Sequence, residues 1–223
     1  MTYFKTEDRD GTLIVTLING ERNTLNADLL EEGATLLEDL ANSPPEQGIV
    51  LTGAGEHFTC GMDTKVAAAL DEQGRKRAIA AVNRFCAGLH RLPCALVAAV
   101  NGNAIGAGGI MMLCADWIYA ASGNYKIGLP EAKAGLPFPP VPQAVLDHWL
   151  EPGWRRRLAL SSMLLKPNEA IGAGMVEATV MLDTLIDQSV TKAKELSAQP
   201  GFEACKRQLR AKANAEIDAI LGG

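Results

Sequence analysis

The stretch "NAIGAGGIMMLC", from Asn103 to Cys114, combines three glycines with a short apolar run. It follows "ALVAAV", an unbroken apolar run that predicts a buried strand. Gly106, Gly108 and Gly109 surround Ala107, and no charged or nucleophilic residue lies among them. The first amides of a helix have no partner within the helix, and small residues leave them open to a ligand oxygen. The stretch therefore predicts a strand–turn–helix unit whose backbone can contact an anionic oxygen.

Two other structures could explain these glycines. A dinucleotide-binding loop has the pattern G-x-G-x-x-G between a strand and a helix. Gly106 and Gly108 match it, but Met111 stands where the third glycine belongs, and the stretch lies far from the first strand. A tight, closely packed turn would account for two of the glycines without any ligand. The incomplete pattern argues against nucleotide binding and leaves the packing interpretation open.

An oxyanion site needs a second amide from another part of the chain. The loop "HFTCGMD", from His57 to Asp63, contains Gly61, which permits an unusual turn. In such a turn the amide of Met62 can point inward. Met62 and Ala107 are therefore the candidate amide donors.

Strands and helices alternate along the chain. Asp10 and Gly11 predict the turn of a hairpin, and Asn26 is a typical capping residue ahead of a leucine-rich helix. Further strands are predicted at "GIVLTG", "CALVAAV", "DWIYA" and "YKIG", and helices at 71–90, 143–150, 154–165, 168–172 and in a pair beyond 183. The segments "AGEHFTCGMD" and "LPEAKAGLPFPPVPQ" are predicted as loops. The repeated strand–strand–helix order predicts an α/β fold with parallel strands.

The composition is that of an ordinary globular protein. The chain has 223 residues, is 48% hydrophobic and carries a formal net charge of −5. We therefore expect neither nucleic acid nor a membrane as a partner. Its start has no apolar signal region, no apolar run reaches membrane-spanning length, and its five cysteines form no CxxC pair. These features predict a reduced, cytoplasmic protein without a metal centre.

Four segments in register resemble the crotonase superfamily, which contains the enoyl-CoA hydratases and isomerases. They are "VTLINGERNTLNADLLEE", "HFTCGMD", "AAVNGNAIGAGGIMMLCAD" and "YKIGLPEAKAGL". The resemblance implies a crotonase-like ββα superhelix with C-terminal helices. It also implies a core at 1–180, a helical segment at 181–223 that serves oligomerisation, and a homo-oligomer, either a trimer or a hexamer.

The resemblance further implies an acyl-CoA thioester as substrate, with coenzyme A as part of that substrate and no separate cofactor. The thioester oxygen would lie between the amides of Met62 and Ala107, where alanine replaces the family's commoner glycine. Other substrate contacts would come from residues of the four segments, namely Asn23, Leu25, His57, Phe58, Cys60, Ile110 and Leu136.

Glu131 is the candidate proton-transfer residue. Hydratases of the family use two glutamates, and this chain has Ile110 at the first position and Glu131, in "GLPE", at the second. Addition of water needs two carboxyl groups, one to deprotonate the water and one to return a proton. A double-bond shift needs a single base, which takes a proton from C2 and returns it at C4. The apolar neighbours of Glu131 predict a raised pKa, which suits this shuttle.

We therefore predict an enoyl-CoA isomerase with Glu131 as the proton shuttle. One alternative is an enoyl-CoA hydratase with a second, unrecognised acid, and another is a different acyl-CoA lyase or hydrolase. A protein that binds CoA thioesters without turnover is the alternative outside the enzymes, and a solvent-facing Glu131 would favour it. Arg155 to Arg157 predict a solvated helix face, with a CoA phosphate or a neighbouring subunit as other contacts.

Overall fold

The computed structural model describes residues 2–222, which form ten strands and ten α-helices. The strands are β1 (Phe4–Arg9), β2 (Thr12–Leu17), β3 (Ile49–Gly53), β4 (His57–Thr59), β5 (Leu96–Val100), β6 (Asn103–Ile105), β7 (Trp117–Ala121), β8 (Ile127–Gly128), β9 (Leu164–Leu165) and β10 (Ala178–Val180). The helices are α1 (Ala27–Asn42), α2 (Thr64–Ala69), α3 (Glu72–Arg91), α4 (Ala107–Leu113), α5 (Glu131–Ala134), α6 (Pro140–Trp149), α7 (Pro152–Arg155), α8 (Pro167–Gly172), α9 (Leu185–Ser197) and α10 (Phe202–Gly222). A π-helical turn at Arg156–Leu160 and a 3-10 turn at Leu182–Thr184 lie between these elements.

The strands form two sheets. The larger sheet has the order β1-β2-β3-β5-β7-β10, and the smaller one has the order β4-β6-β8-β9. In the larger sheet β1 runs antiparallel to β2, and each following pair of neighbours is parallel. After the first unit, which consists of the β1-β2 hairpin and α1, three successive units place one strand in each sheet and end in a helix. Their strand pairs are β3-β4, β5-β6 and β7-β8. This arrangement confirms the predicted ββα superhelix with C-terminal helices.

Local sequence signals explain how the first unit forms. Asp10 and Gly11 have φ values of 53° and 84° and make the tight turn between β1 and β2. Such a turn needs two left-handed residues, which Asp and Gly tolerate. The Asn26 side chain accepts a hydrogen bond of 2.8 Å from the N–H of Leu29 and so begins α1, as predicted.

Alternating side chains of the larger sheet divide the core into two layers. Val15 and Leu51 belong to the layer that contains Phe85 of α3. Their sequence neighbours Ile14 and Val50 lie in the other layer, which is covered by α9. Because successive strand residues point to opposite faces, this two-sided burial explains the nearly continuous apolar runs of the parallel strands.

The sequence predictions differ from the structure at several short elements. The strands β4, β6, β9 and β10 were missed, because two or three residues are too few to show a periodic pattern. The predicted helix at 154–165 is present only as far as residue 160, as the end of α7 and a π-helical turn, and its predicted end is wrong because β9 occupies Leu164–Leu165. The helix predicted from residue 143 begins at Pro140, where a residue without an N–H fits the first helical turn.

A buried ion cluster attaches the C-terminal helix to the core. Helix α10 packs against α3 and α6. Its Arg210 Nη2 lies 2.7 Å from Asp116 Oδ1, and its Lys206 Nζ lies 2.7 Å from Asp116 Oδ2. Arg210 also donates to the carbonyl oxygens of His90 and Cys114. The packing of α10 on its own chain is thus electrostatic as well as apolar. The division into a core at 1–180 and an oligomerisation segment at 181–223 stays a prediction.

Residues 2–222 contain no helix that is long and apolar enough to cross a membrane. The same residues hold no group of three or more His, Cys, Asp or Glu side chains placed to bind a metal ion. All five cysteines are free.

Asp116→Asn should lower the free energy of unfolding by about 3–5 kcal/mol, because the change leaves two buried cations without a counter-charge. Urea unfolding at pH 7 measures the effect. Glu203→Gln is the matched control, since Glu203 is an exposed carboxylate 3.9 Å from Arg207 on the same helix. It should change the free energy by less than about 0.5 kcal/mol. Equal losses in the two variants would contradict the anchoring role of Asp116.

Candidate active site

An apolar cavity of about 350 Å³ lies where the first turns of α2, α4 and α5 face α3. Both predicted amide donors, Met62 and Ala107, line it, and so does Glu131. The remaining wall comes from α3 and from the proline-rich segment at 136–142. Three sequence segments that are far apart in the chain therefore meet at one space large enough for a ligand.

The Met62 side of the cavity is shaped by the turn after β4. Gly61 has a φ of 75°, in the left-handed region that favours glycine. Its carbonyl oxygen accepts a hydrogen bond of 2.9 Å from the N–H of Leu25, which forms a parallel bridge with Met62. Within residues 2–222 the Met62 amide donates no hydrogen bond. The turn thus leaves this amide free to bind a ligand oxygen.

The Ala107 side is shaped by the turn before α4. Gly106 has φ 59° and ψ −121°, and its N–H donates to Gly128 O at 2.8 Å. Ala107 is the first residue of α4, and its amide likewise donates no hydrogen bond within the described chain. This geometry explains why the stretch needs glycine before Ala107.

The two turns are in direct contact. A side chain at Gly61 would collide with the carbonyl oxygen of Ile105, and its β-carbon would lie 3.5 Å from the amide nitrogen of Ala107. The structure therefore brings the two amide-bearing segments together. That both amides hold one oxygen stays a prediction.

Glu131 begins α5 and faces the same cavity. A β-carbon on Gly106 would lie 3.2 Å from Glu131 Oε1, so the carboxyl group sits against the turn before Ala107. Its Oε2 is buried and has no hydrogen-bond partner among the described residues. Removal from water raises the pKa of Glu131 to about 7. A half-buried carboxyl group with an unpartnered oxygen contradicts the solvent-facing alternative.

Ile110 lies on the next turn of α4 and is only 1% exposed, although it lines the cavity. Among the lining residues that the structure describes, Glu131 is the only carboxylate. The other charged lining residue is Arg75, whose guanidinium donates to Leu70 O. The described lining of the cavity therefore offers a single carboxyl group for proton transfer.

The structure separates the predicted substrate-binding residues into two groups. Cys60, Ile110 and Leu136 line the cavity. The other four, Asn23, Leu25, His57 and Phe58, do not line it.

A structural role accounts for each of these four exceptions. Leu25 and Phe58 are buried in the core. Asn23 is buried, and its side-chain amide donates to Ala54 O and His57 O. His57 Nδ1 accepts from the Asn103 side chain. These side chains shape the loops, and their predicted contacts with the substrate stay a prediction.

The apolar wall from α3 was absent from the sequence prediction. Ala78, Ile79 and Val82 line the cavity together with Phe138 and Pro142. The spacing of Ala78 and Val82 places them on one face of the helix. The sequence shows this spacing, but it does not show which part of the chain packs against that face of α3.

Comparison with known proteins identifies the family. The model of the enoyl-CoA hydratase/isomerase family matches residues 7–221. The short-chain-enoyl-CoA hydratase of Clostridium acetobutylicum is 27% identical over 220 residues, covering 96% of this chain and 84% of that protein. Enoyl-CoA delta isomerase 3 of Arabidopsis thaliana is 28% identical over 201 residues, covering 86% and 84%.

A solved structure shows the same fold. An enoyl-CoA isomerase of Mycobacterium tuberculosis superposes with a TM-score of 0.89 at 20% identity, over 100% of this chain and 97% of that one. The relatives thus include both hydratases and isomerases. From its matching family model, its superhelix and its amide-lined cavity, this chain belongs to the enoyl-CoA hydratase/isomerase family of the crotonase superfamily.

Proposed function

We propose that this family enzyme moves the double bond of an enoyl-CoA from C3 to C2. The observation that carries the proposal is the single carboxylate of the cavity: Glu131 is present, and Ile110 stands where a second glutamate would complete a hydratase. The enoyl-CoA delta isomerase among the relatives agrees with this choice.

The proposed reaction uses two backbone amides and one base. The N–H groups of Met62 and Ala107 donate to the thioester oxygen, and the Glu131 carboxylate removes a proton from C2. The electron pair of that C–H bond forms the enolate, whose charge rests on the thioester oxygen. When the carbonyl re-forms, the double bond moves to C2–C3 and C4 takes the proton back from Glu131. The enzyme is unchanged, and the product is an isomer of the substrate.

The surroundings of Glu131 suit this double role. A group that must both take and return a proton works best when its pKa is near the working pH. Burial raises the pKa of Glu131 to about 7. The apolar Ile110 keeps water from the enolate, and a dry site strengthens the amide interactions.

Hydration is the second candidate, because a relative that covers 96% of this chain is a hydratase. It would require a second acid that the cavity lining lacks among residues 2–222. The remaining candidates are other acyl-CoA lyase or hydrolase reactions and binding without turnover. Binding without turnover would leave the buried, unpartnered carboxyl oxygen of Glu131 unexplained.

Assembly and location are further parts of the proposal. Exposed apolar side chains such as Leu160, Met181 and Leu182 are available to neighbouring subunits, which supports a homo-oligomer such as a trimer or hexamer. The five free cysteines support a cytoplasmic location.

Glu131→Gln should lower kcat for the 3-enoyl-CoA double-bond shift by about 100- to 10,000-fold, because the amide cannot carry the proton. Binding of a saturated acyl-CoA, measured by calorimetry, should stay nearly unchanged. Glu46→Gln alters an exposed carboxylate and serves as the control. Full activity in Glu131→Gln, or wild-type hydration of a 2-enoyl-CoA without any double-bond shift, would overturn the proposal.

Ile110→Glu distinguishes the two candidate reactions. If the enzyme is an isomerase, a second carboxylate should slow the double-bond shift, because it brings charge and water to the enolate. Ile110→Gln is the matched uncharged control. The rate of the double-bond shift is measured on 3-enoyl-CoA and the rate of hydration on 2-enoyl-CoA, in parallel. A higher rate of hydration in Ile110→Glu, without a slower double-bond shift, would identify hydration as the native reaction.

Glu131→Gln should also change stability in a pH-dependent way. The pKa of Glu131 is about 7 in the folded protein against an ordinary value of 4.5, so the folded state holds the proton more tightly. This tighter binding of the proton stabilises the folded protein fully below pH 4.5, and the stabilisation is lost as the pH rises through 7. At pH 8 the variant should be more stable than the wild type by about 1–2 kcal/mol, since solvent still reaches part of the group. Urea unfolding at pH 5 and pH 8 should show a smaller gain at pH 5; equal gains would contradict the burial of the charge.

A further inference from the structure

Thr59, the last residue of β4, is fully buried and lies outside the cavity lining. Its hydroxyl donates a hydrogen bond of 2.6 Å to the carbonyl oxygen of Asn23 and accepts one of 3.0 Å from the N–H of Gly61. Gly61 directly precedes Met62, so the hydroxyl holds the turn that presents the first amide.

The rest of the same residue touches the turn that presents the second amide. A β-carbon on Gly108 would lie 2.7 Å from Thr59 Cγ2 and 2.8 Å from its carbonyl oxygen. Gly108 directly follows Ala107. The methyl group and the backbone of Thr59 therefore limit how closely the first turn of α4 can approach β4.

Asn23 gives the Thr59 hydroxyl a fixed point of attachment. This residue has a φ of 48° and is fully buried. Its Nδ2 donates to Ala54 O and His57 O at 2.8 Å, and its Oδ1 accepts from Asn19 N–H at 3.0 Å. The carbonyl group that binds Thr59 thus belongs to a residue held at three other points.

We propose that Thr59 is a positioning residue that sets the separation and direction of the Met62 and Ala107 amides. The inference rests on the proposed function, because it assigns these amides to one thioester oxygen. Thr59 touches no substrate and acts only through the two neighbouring glycines. Amides stabilise an enolate oxygen only when they are close to hydrogen-bonding distance of it, so a small displacement lowers the rate of enolate formation more than it lowers ground-state binding.

Two substitutions separate the hydroxyl from the methyl group. Thr59→Val keeps the shape of the side chain, but its methyl cannot lie as close to Asn23 O and Gly61 N as the hydroxyl does. Thr59→Ser keeps the hydroxyl and loses the methyl. Thr52→Val is the matched control, because Thr52 is also buried and its hydroxyl donates to Ala99 O at 2.8 Å, outside the cavity lining.

The experiment measures enolate formation directly, as exchange of the C2 protons of a saturated acyl-CoA in D₂O, followed by NMR. Thr59→Val should lower the exchange rate constant at saturation by about 10- to 100-fold with KM nearly unchanged. Thr59→Ser should restore most of the rate. Thr52→Val should lower the melting temperature to a similar extent and exchange at the wild-type rate.

Three outcomes would overturn the inference or its basis. Wild-type exchange in Thr59→Val, or an equal rate loss in Thr52→Val, would overturn the positioning role alone. Absence of C2 exchange in the unaltered enzyme with both the saturated acyl-CoA and a 3-enoyl-CoA would overturn the proposed enolate chemistry itself. If Thr59→Val does not fold, Thr59→Ala replaces it, since Thr59→Ala and Thr59→Ser both lack the methyl and differ only in the hydroxyl.

Discussion

Close backbone contact between the second and third strand–strand–helix units is the constraint on which the site depends. Side chains at Gly53 and Gly102 would collide with the carbonyl oxygens of His57 and Glu56, and one at Gly61 would collide with that of Ile105. Gly108 packs equally closely on Thr59. Because no residue with a β-carbon fits at these points, the glycines allow β4 and β6 to pair beside the larger sheet. The pairing brings the turns that follow these two strands together.

The same packing determines the electrostatics of the cavity. Among residues 2–222 the Met62 and Ala107 amides donate no hydrogen bond, and both residues line the cavity together with Glu131 in a lining that is otherwise mostly apolar. Water would compete for the amides and would lower the pKa of Glu131, so exclusion of water serves both groups. Burying Glu131 costs free energy, because its Oε2 has no partner among the described residues, whereas the buried carboxylate of Asp116 has two cationic partners. A ligand in the cavity can satisfy the unpartnered Oε2 of Glu131 and the amides of Met62 and Ala107.

Much of the fold could be predicted because its strongest signals are local. The Asp10-Gly11 turn, the Asn26 cap and the long amphipathic α3 each depend on a few adjacent residues. Three strands of the smaller sheet, β4, β6 and β9, could not be predicted from local sequence, since their partners are distant: His57 of β4 pairs with Asn103 of β6, 46 residues away in the chain. The same limit applies to the wall that α3 contributes to the cavity. Met62, Ala107 and Glu131 were predicted from motifs, and the structure places all three at one cavity, although their roles await experiment.

One physical feature is shared by the four motif residues outside the cavity lining, Asn23, Leu25, His57 and Phe58: their side chains pack or hydrogen-bond within the protein. A motif identifies residues that matter near a site but does not say whether the side chain meets the ligand or shapes the loop. At this site the proposed oxyanion contacts are backbone N–H groups, so the side chains with most influence on them are those that determine backbone position. Such side chains must be buried and fully hydrogen-bonded, as Asn23 is. A search for exposed polar residues would pass over them, and the hydrogen bonds between neighbouring turns are what reveal their role.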